Sequence, residues 1–137
     1  MPEEERKFVL NLFARSYAQV WSSKRPEFVA MFFEETGTLQ VNEGYPAAGR
    51  DAISKVAKSF MTKFPDIKVS FDSLTTEANG VKFHWTLTGT DAGPGGKGNK
   101  VKISGYELRQ LGKDGLIKNS KGYFLTEEYN KQLEGGN

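Results

Sequence analysis

Residues 67–87, IKVSFDSLTTEANGVKFHWTL, change the rhythm of the chain. Ile67, Val69 and Phe71 alternate with Lys68, Ser70 and Asp72, and then Val81, Phe83, Trp85 and Leu87 alternate with Lys82, His84, Thr86 and Thr88. A period of two is that of a strand with one buried face. Asn79-Gly80, between the two runs, is the dipeptide that tight hairpin turns prefer. The stretch therefore predicts two antiparallel strands, and the chain beyond it continues the sheet. A third strand is expected over about 100–111 and, after the turn Asp114-Gly115, a fourth ending near Phe124. Within the third strand the apolar phase slips between Ile103 and Tyr106. A β-bulge at Gly105 would explain the slip, turning Tyr106 and Leu108 inward and leaving Glu107 on the outer face.

Upstream of this stretch the period is helical. Val9, Leu12, Phe13, Tyr17, Val20 and Trp21 recur at steps of three and four, which predicts one buried face on a helix from about Glu4 to Ser22. Pro26 suits the first turn of a second, short helix with Phe28, Val29, Phe32 and Phe33 on its buried side. TLQV (residues 38–41) reads as a brief strand. Ala52, Ile53, Val56, Ala57, Phe60, Met61 and Phe64 mark a third helix, stopped by Pro65. Three helices followed by a bent antiparallel meander predict an α+β fold, with the helices packed on the concave face of the sheet.

Composition limits what such a fold can do. The chain has 137 residues, 37% of them hydrophobic, enough for one ordinary domain spanning 1–137. Nineteen basic and 17 acidic residues leave a net charge of +2, which gives no global field for nucleic acid. Between Gly95 and Leu125 seven basic residues face two acidic ones (Glu107 and Asp114), a bias expected of a solvated sheet edge. The absence of cysteine excludes thiolate catalysis and Cys-ligated zinc. The start, MPEEERK, lacks the pattern of a secretory signal and no apolar run approaches the ~20 residues of a membrane span, so no membrane partner and a cytoplasmic location are expected.

Four segments, YPAAGRDAI (45–53), FPDIKVSFDSL (64–74), VKFHWTLTGTDAG (81–93) and KVKISGYELRQLGKDGLI (100–117), resemble successive parts of the SnoaL-like polyketide cyclase group of the nuclear transport factor 2-like superfamily. The resemblance runs from the first helix to about Tyr123. It implies a cone-shaped domain whose interior binds a hydrophobic small molecule, and homodimers formed through the outer sheet face. It implies no cofactor. Members that do chemistry commonly carry a His and an Asp two residues apart on the final strand; IKNSKGYFL (117–125) has neither, and Ser120 and Gly122 stand at the matching positions. The usual Gly-Thr-His at the end of the preceding hairpin strand reads Gly89-Thr90-Asp91.

Asp91 is the carboxylate that alternation with Trp85, Leu87 and Gly89 aims inward. In an apolar pocket it would serve as a general base; an Asp ahead of a glycine loop more often serves as a turn cap. His84 alternates to the outer face, and one histidine without clustered carboxylates makes no metal site. AGPGGKGN (92–99) lacks the Gly-Lys-Ser/Thr ending of a phosphate cradle and reads as a mobile hairpin lip. The expected pocket wall comprises Tyr17, Trp21, Phe60, Trp85, Leu87, Tyr106, Leu108, Ser120, Lys121 and Tyr123, with Lys121 able to pair with Asp91. Two function classes follow. One is a small-molecule-binding module that has lost its acid–base pair. The other is an isomerase or cyclase transferring a proton next to a carbonyl, with Asp91 as base and a tyrosine hydroxyl or Ser120 holding the oxyanion.

Overall fold

The computed structural model describes residues 2–136. Three acidic residues open helix α1 (Glu3–Trp21), where negative charge suits the positive end of the helix dipole. Pro26 begins α2 (Pro26–Ala30). Gly49, at φ 88°, turns the chain into α3 (Arg50–Lys63), which Pro65 keeps from continuing. The strands are β1 (Phe33–Val41), the short β2 (Ala47–Ala48), β3 (Lys68–Glu77), β4 (Gly80–Thr90), β5 (Lys100–Leu111) and β6 (Ile117–Phe124), and α4 (Thr126–Leu133) follows them.

These strands form one curved, unclosed sheet in the order β2-β1-β6-β5-β4-β3. Neighbours are antiparallel except β1 and β6, which run parallel. The fold class is thus the expected α+β, with a parallel pair and a C-terminal helix added to the meander. Tyr17, Val29, Phe33, Ile53, Phe64, Phe83 and Ile117 are fully buried between helices and sheet. Tyr17 meets Phe32, Phe33 and Phe83 at ring separations of 5.5 to 6.2 Å, the tilted and edge-on contacts that aromatic rings favour.

Several expectations fail at this level. Val9 and Leu12 are 49% and 55% exposed, because only the C-terminal half of α1 lies on the core, through Ala14, Tyr17, Ala18 and Trp21. The second helix ends at Ala30, so Phe33 belongs to β1, and Phe28 is exposed. The strand read as 38–41 begins five residues earlier, at Phe33. The basic run does not form a sheet edge: β5 and β6 are interior strands, and α4 covers part of β5, with the Lys102 amide donating to Gln132 Oε1 at 2.6 Å. Gly105 carries no bulge. β4 and β5 pair in unbroken register through Trp85 and Gly105, and the extra residue is Asp72 on β3, between Phe71 opposite Trp85 and Ser73 opposite His84.

Candidate functional site

The unbroken register of β5 decides which side chains enter the interior. Val101, Ile103, Gly105, Glu107 and Arg109 all point inward, and Tyr106 and Leu108 point out. Gly105 is needed for a different reason from a bulge: a Cβ there would collide with the Tyr123 carbonyl oxygen and stand 2.7 Å from Trp85 Cζ2, so its absence lets both the β6 backbone and the indole come close over β5. Trp85 then walls a narrow cavity of about 60 Å³ between sheet and helices. Trp21 of α1, Phe60 of α3, Phe124 at the end of β6 and Tyr129 of α4 are its other aromatic walls, with Leu87 among the aliphatic ones.

Glu107 is the charged residue of this wall and is 7% exposed. Burial at this level calls for partners, and they converge on one oxygen. Ser120 Oγ donates to Glu107 Oε1 at 2.5 Å and the Tyr17 hydroxyl donates to the same atom at 3.2 Å. Arg109 Nε lies 3.6 Å from it. The hydrogen bonds to Glu107 among the described residues all go to Oε1 and none to Oε2. The Arg109 guanidinium is held between the faces of Tyr17 and Phe83, 4.1 and 4.2 Å from the ring centres, and its Nε and Nη2 have no hydrogen-bond partner among the described residues. Burial raises the pKa of Tyr17 far above the usual tyrosine range; the negative charge of Glu107 adds to the rise and Arg109 opposes it. Tyr17 is therefore a neutral donor at any physiological pH.

Asp91 is buried but stands away from the cavity. Lys63 Nζ, at the end of α3, lies 3.3 Å from its Oδ1, and the Lys97 amide donates to Oδ2 at 3.5 Å. The glycine loop is pinned around it: Gly98 N–H donates to the Asp91 carbonyl, Gly93 N–H to the Lys63 carbonyl, and a Cβ on Gly96 would stand 2.5 Å from Asp91 Oδ1. The glycines serve this close wrapping of the chain, while Asp91 Oδ1 accepts no hydrogen bond among the described residues and is met by the Lys63 charge. Asp91 does not line this cavity, and its ion-pair partner is Lys63 rather than Lys121, which lies on the outer face.

Of the other expected wall residues, the structure brings Trp21, Phe60, Trp85 and Leu87 to the cavity and Tyr17 and Ser120 to Glu107. Tyr106, Leu108, Lys121 and Tyr123 are on the outer face, because β5 keeps its phase and β6 presents Ser120, Gly122 and Phe124 inward. Tyr106 and Tyr123 pack there at 5.2 Å, with His84 6.0 Å from Tyr106 and within 3.2 Å of Thr75 Oγ1. No group of three or more His, Cys, Asp or Glu side chains fit to hold a metal ion occurs among the described residues, and no described helix is long and apolar enough to cross a membrane.

A family model of SnoaL-like polyketide cyclases matches residues 11–128. The chain belongs to that family. Solved structures with the same fold include a hypothetical protein of ketosteroid isomerase-like fold from Catenulispora acidiphila DSM 44928, described in complex with trimethylamine. It is 15% identical, with 89% of this chain and 92% of that one covered and a TM-score of 0.78. A SnoaL-like polyketide cyclase homologue from Jannaschia sp. CCS1 is 16% identical over 81% of this chain and 80% of that one, with a TM-score of 0.69. SalBIII, described as an epoxide hydrolase/cyclase-like enzyme in pyran ring formation in the polyether salinomycin, is 16% identical over 93% and 97%, with a TM-score of 0.75. At these identities the likeness concerns the fold. A search of curated proteins found no match.

Within this SnoaL-like chain, Ser120 and Gly122 do face the interior, opposite Arg109 and Glu107 in the β5–β6 ladder. Sequence reasoning missed Glu107 and Arg109. The signal for both was continued alternation from Val101 and Ile103, which reaches 107 and 109 if the glycine between them is read as part of the ladder.

Proposed function

We propose that this SnoaL-like domain binds a small hydrophobic molecule in the cavity behind Trp85, with Glu107 as the polar contact, and that it binds without turnover. The observation that supports this reading is Glu107 itself: a carboxylate in an aromatic wall with Oε1 engaged by Tyr17 and Ser120 and Oε2 left over. A pocket of apolar surface with one fixed polar group is the common form of a small-molecule site. The domain acts as a homodimer joined through the outer face of the sheet, where Tyr106 and Tyr123 lie.

The same carboxylate supports a second reading, proton transfer next to a carbonyl with Glu107 in the role first given to Asp91. It ranks lower for a chemical reason. An enolate needs donors aimed at its oxygen; the buried hydroxyls of Tyr17 and Ser120 both donate to Glu107 instead, and the hydroxyl residue left in the wall, Tyr129, is only partly buried.

Both tryptophans of the chain, Trp21 and Trp85, line the cavity, so intrinsic fluorescence reads occupancy directly. Titration with toluene should shift the emission saturably. Trp85→Ala should weaken toluene binding and lower stability by about 3–5 kcal/mol, the usual cost of deleting a large buried ring. A linear, unsaturable response in the native protein, or toluene binding unchanged in Trp85→Ala, would show that the cavity is no ligand site.

A further inference from the structure

The cavity wall joins a carboxylate to a ring of aromatic side chains, and that pairing bears on what kind of molecule enters it. This deepens the binding reading above and rests on it. Tyr17 and Ser120, the hydroxyl donors closest to the carboxylate, are both committed to Glu107 Oε1. Arg109 approaches that same oxygen and is not part of the cavity wall. The wall offers instead Glu107 and five aromatic side chains: Trp21, Phe60, Trp85, Phe124 and Tyr129. The rings meet edge to face, Trp21 with Phe60 and Trp85 with Phe124 each at 6.0 Å, and Phe124 with Tyr129 at 5.2 Å. Aromatic faces carry negative potential and attract cations, most strongly where water is excluded. An anionic ligand would meet the like charge of Glu107 here, whereas a cation meets aromatic rings and a carboxylate oxygen together.

We propose that the ligand of this cavity carries a tertiary alkylammonium group, whose single N–H donates to Glu107 Oε2 while its alkyl groups pack on Trp21, Phe60, Trp85 and Tyr129. The substitution pattern follows from counting donors. A primary ammonium brings three N–H groups that must all find acceptors once dry, and Glu107 has one oxygen left. A tertiary ammonium brings one, and its alkyl groups spread the charge over a surface that aromatic rings accommodate. The narrowness of the cavity, about 60 Å³, favours a compact headgroup over a fused polycycle. Arg109 supplies an internal counter-charge to Glu107 and so reduces the attraction, but its guanidinium is shared with the Tyr17 and Phe83 faces and makes no hydrogen bond to the carboxylate.

The test compares two molecules of nearly the same shape, N,N-dimethylbenzylamine and isobutylbenzene, by tryptophan fluorescence at pH 7, where the amine is protonated. The amine should bind the native protein at least about 10-fold tighter than the hydrocarbon. Glu107→Gln should lower the amine's affinity about 10-fold more than that of the hydrocarbon. Because the variant leaves Arg109 buried without its counter-ion and so is at risk of not folding, the native protein is also titrated above the amine's own pKa. There the amine is neutral and its advantage should disappear. Equal or tighter binding of isobutylbenzene at pH 7, or an advantage that survives deprotonation of the amine, overturns the alkylammonium assignment and leaves the cavity reading standing. Failure of both molecules to bind overturns the assignment and the cavity reading together.

Discussion

Replacing Tyr17 by Phe would delete one hydroxyl and leave its ring against Arg109, Phe32 and Phe83. The lost bond goes to a buried carboxylate, and hydrogen bonds to charged groups are worth about 1.5–3 kcal/mol, so Tyr17→Phe should lower stability by that order at neutral pH. Its pH signature separates it from a simple packing defect. The pKa of Tyr17 in the folded protein is raised by burial and then by the charge of Glu107. The unfolded chain therefore loses this proton first. The stabilising contribution is fully present below the ordinary tyrosine value, near ~10, and declines as pH rises beyond it. Denaturant melts of wild type and Tyr17→Phe at about pH 8 and about pH 11 should show the gap between them narrowing at the higher pH. A gap that is constant or wider would mean that the hydroxyl is not buried beside Glu107. Asp66 acts in the opposite direction: its carboxylate accepts the Thr90 amide and hydroxyl, which hold its pKa below the usual carboxylate range. Its contribution is therefore present above that range and lost as pH falls through the lower folded value.

Elements were legible where one face of the chain is uniformly buried, and illegible where burial stops partway along. The β4 alternation, read from Val81 to Leu87, places Phe83, Trp85 and Leu87 inward, as found. The helical spacing of α1 was sound, but spacing does not tell how far a helix stays in contact, and Val9 and Leu12 lie beyond the core it covers. Helix α4 has Tyr129 and Leu133 as its sole partly buried apolar pair packed on the core, too sparse a pattern to announce a helix after the last strand. The decisive error was at Gly105, where a missing side chain was read as a break in the ladder. An unbroken strand placed one glycine under an indole, and the whole candidate site followed from that. Gly105→Val tests it. Its Cβ would start against the Tyr123 carbonyl oxygen and 2.7 Å from Trp85 Cζ2, so the β6 backbone and the indole must both move, at a cost at or above the ~1–3 kcal/mol typical of overpacking. The tryptophan emission should shift to the red as Trp85 leaves the apolar cavity, and toluene binding should weaken. If β5 were bulged at this position, valine would be accommodated with the emission unchanged.

At the scale of the whole molecule, the sheet has one face under helices and one free. The inner face is covered by α1 to α4 and holds the cavity, so any pairing of two copies through the sheet must use the face bearing Lys82, His84, Tyr106, Leu108, Lys121 and Tyr123. Its centre is aromatic: Tyr106 packs against Tyr123 with the rings tilted by 40°, and Lys82 Nζ lies 4.5 Å from the Tyr106 ring centre. Tyrosine is enriched at the cores of interfaces, and a two-fold axis through such a strip sets it against its own copy. The bias of this face toward lysine works against that pairing at low salt, whereas the rings favour it at any salt; the rings win if they form the buried centre and the lysines stay at the rim. Light scattering should therefore give twice the mass of one chain at tens of micromolar, with weak dependence on salt. Tyr123→Lys puts a further cation at the centre and should raise the dissociation constant by about 30-fold, as loss of a hot-spot residue worth ~2 kcal/mol does. Because Tyr123 lies on the face opposite the cavity, toluene should still shift the Trp21 and Trp85 emission in the dissociated variant. A native protein that stays at single-chain mass on concentration, or a Tyr123→Lys dimer as tight as the parent, would place the contact between copies somewhere other than this face, or remove it.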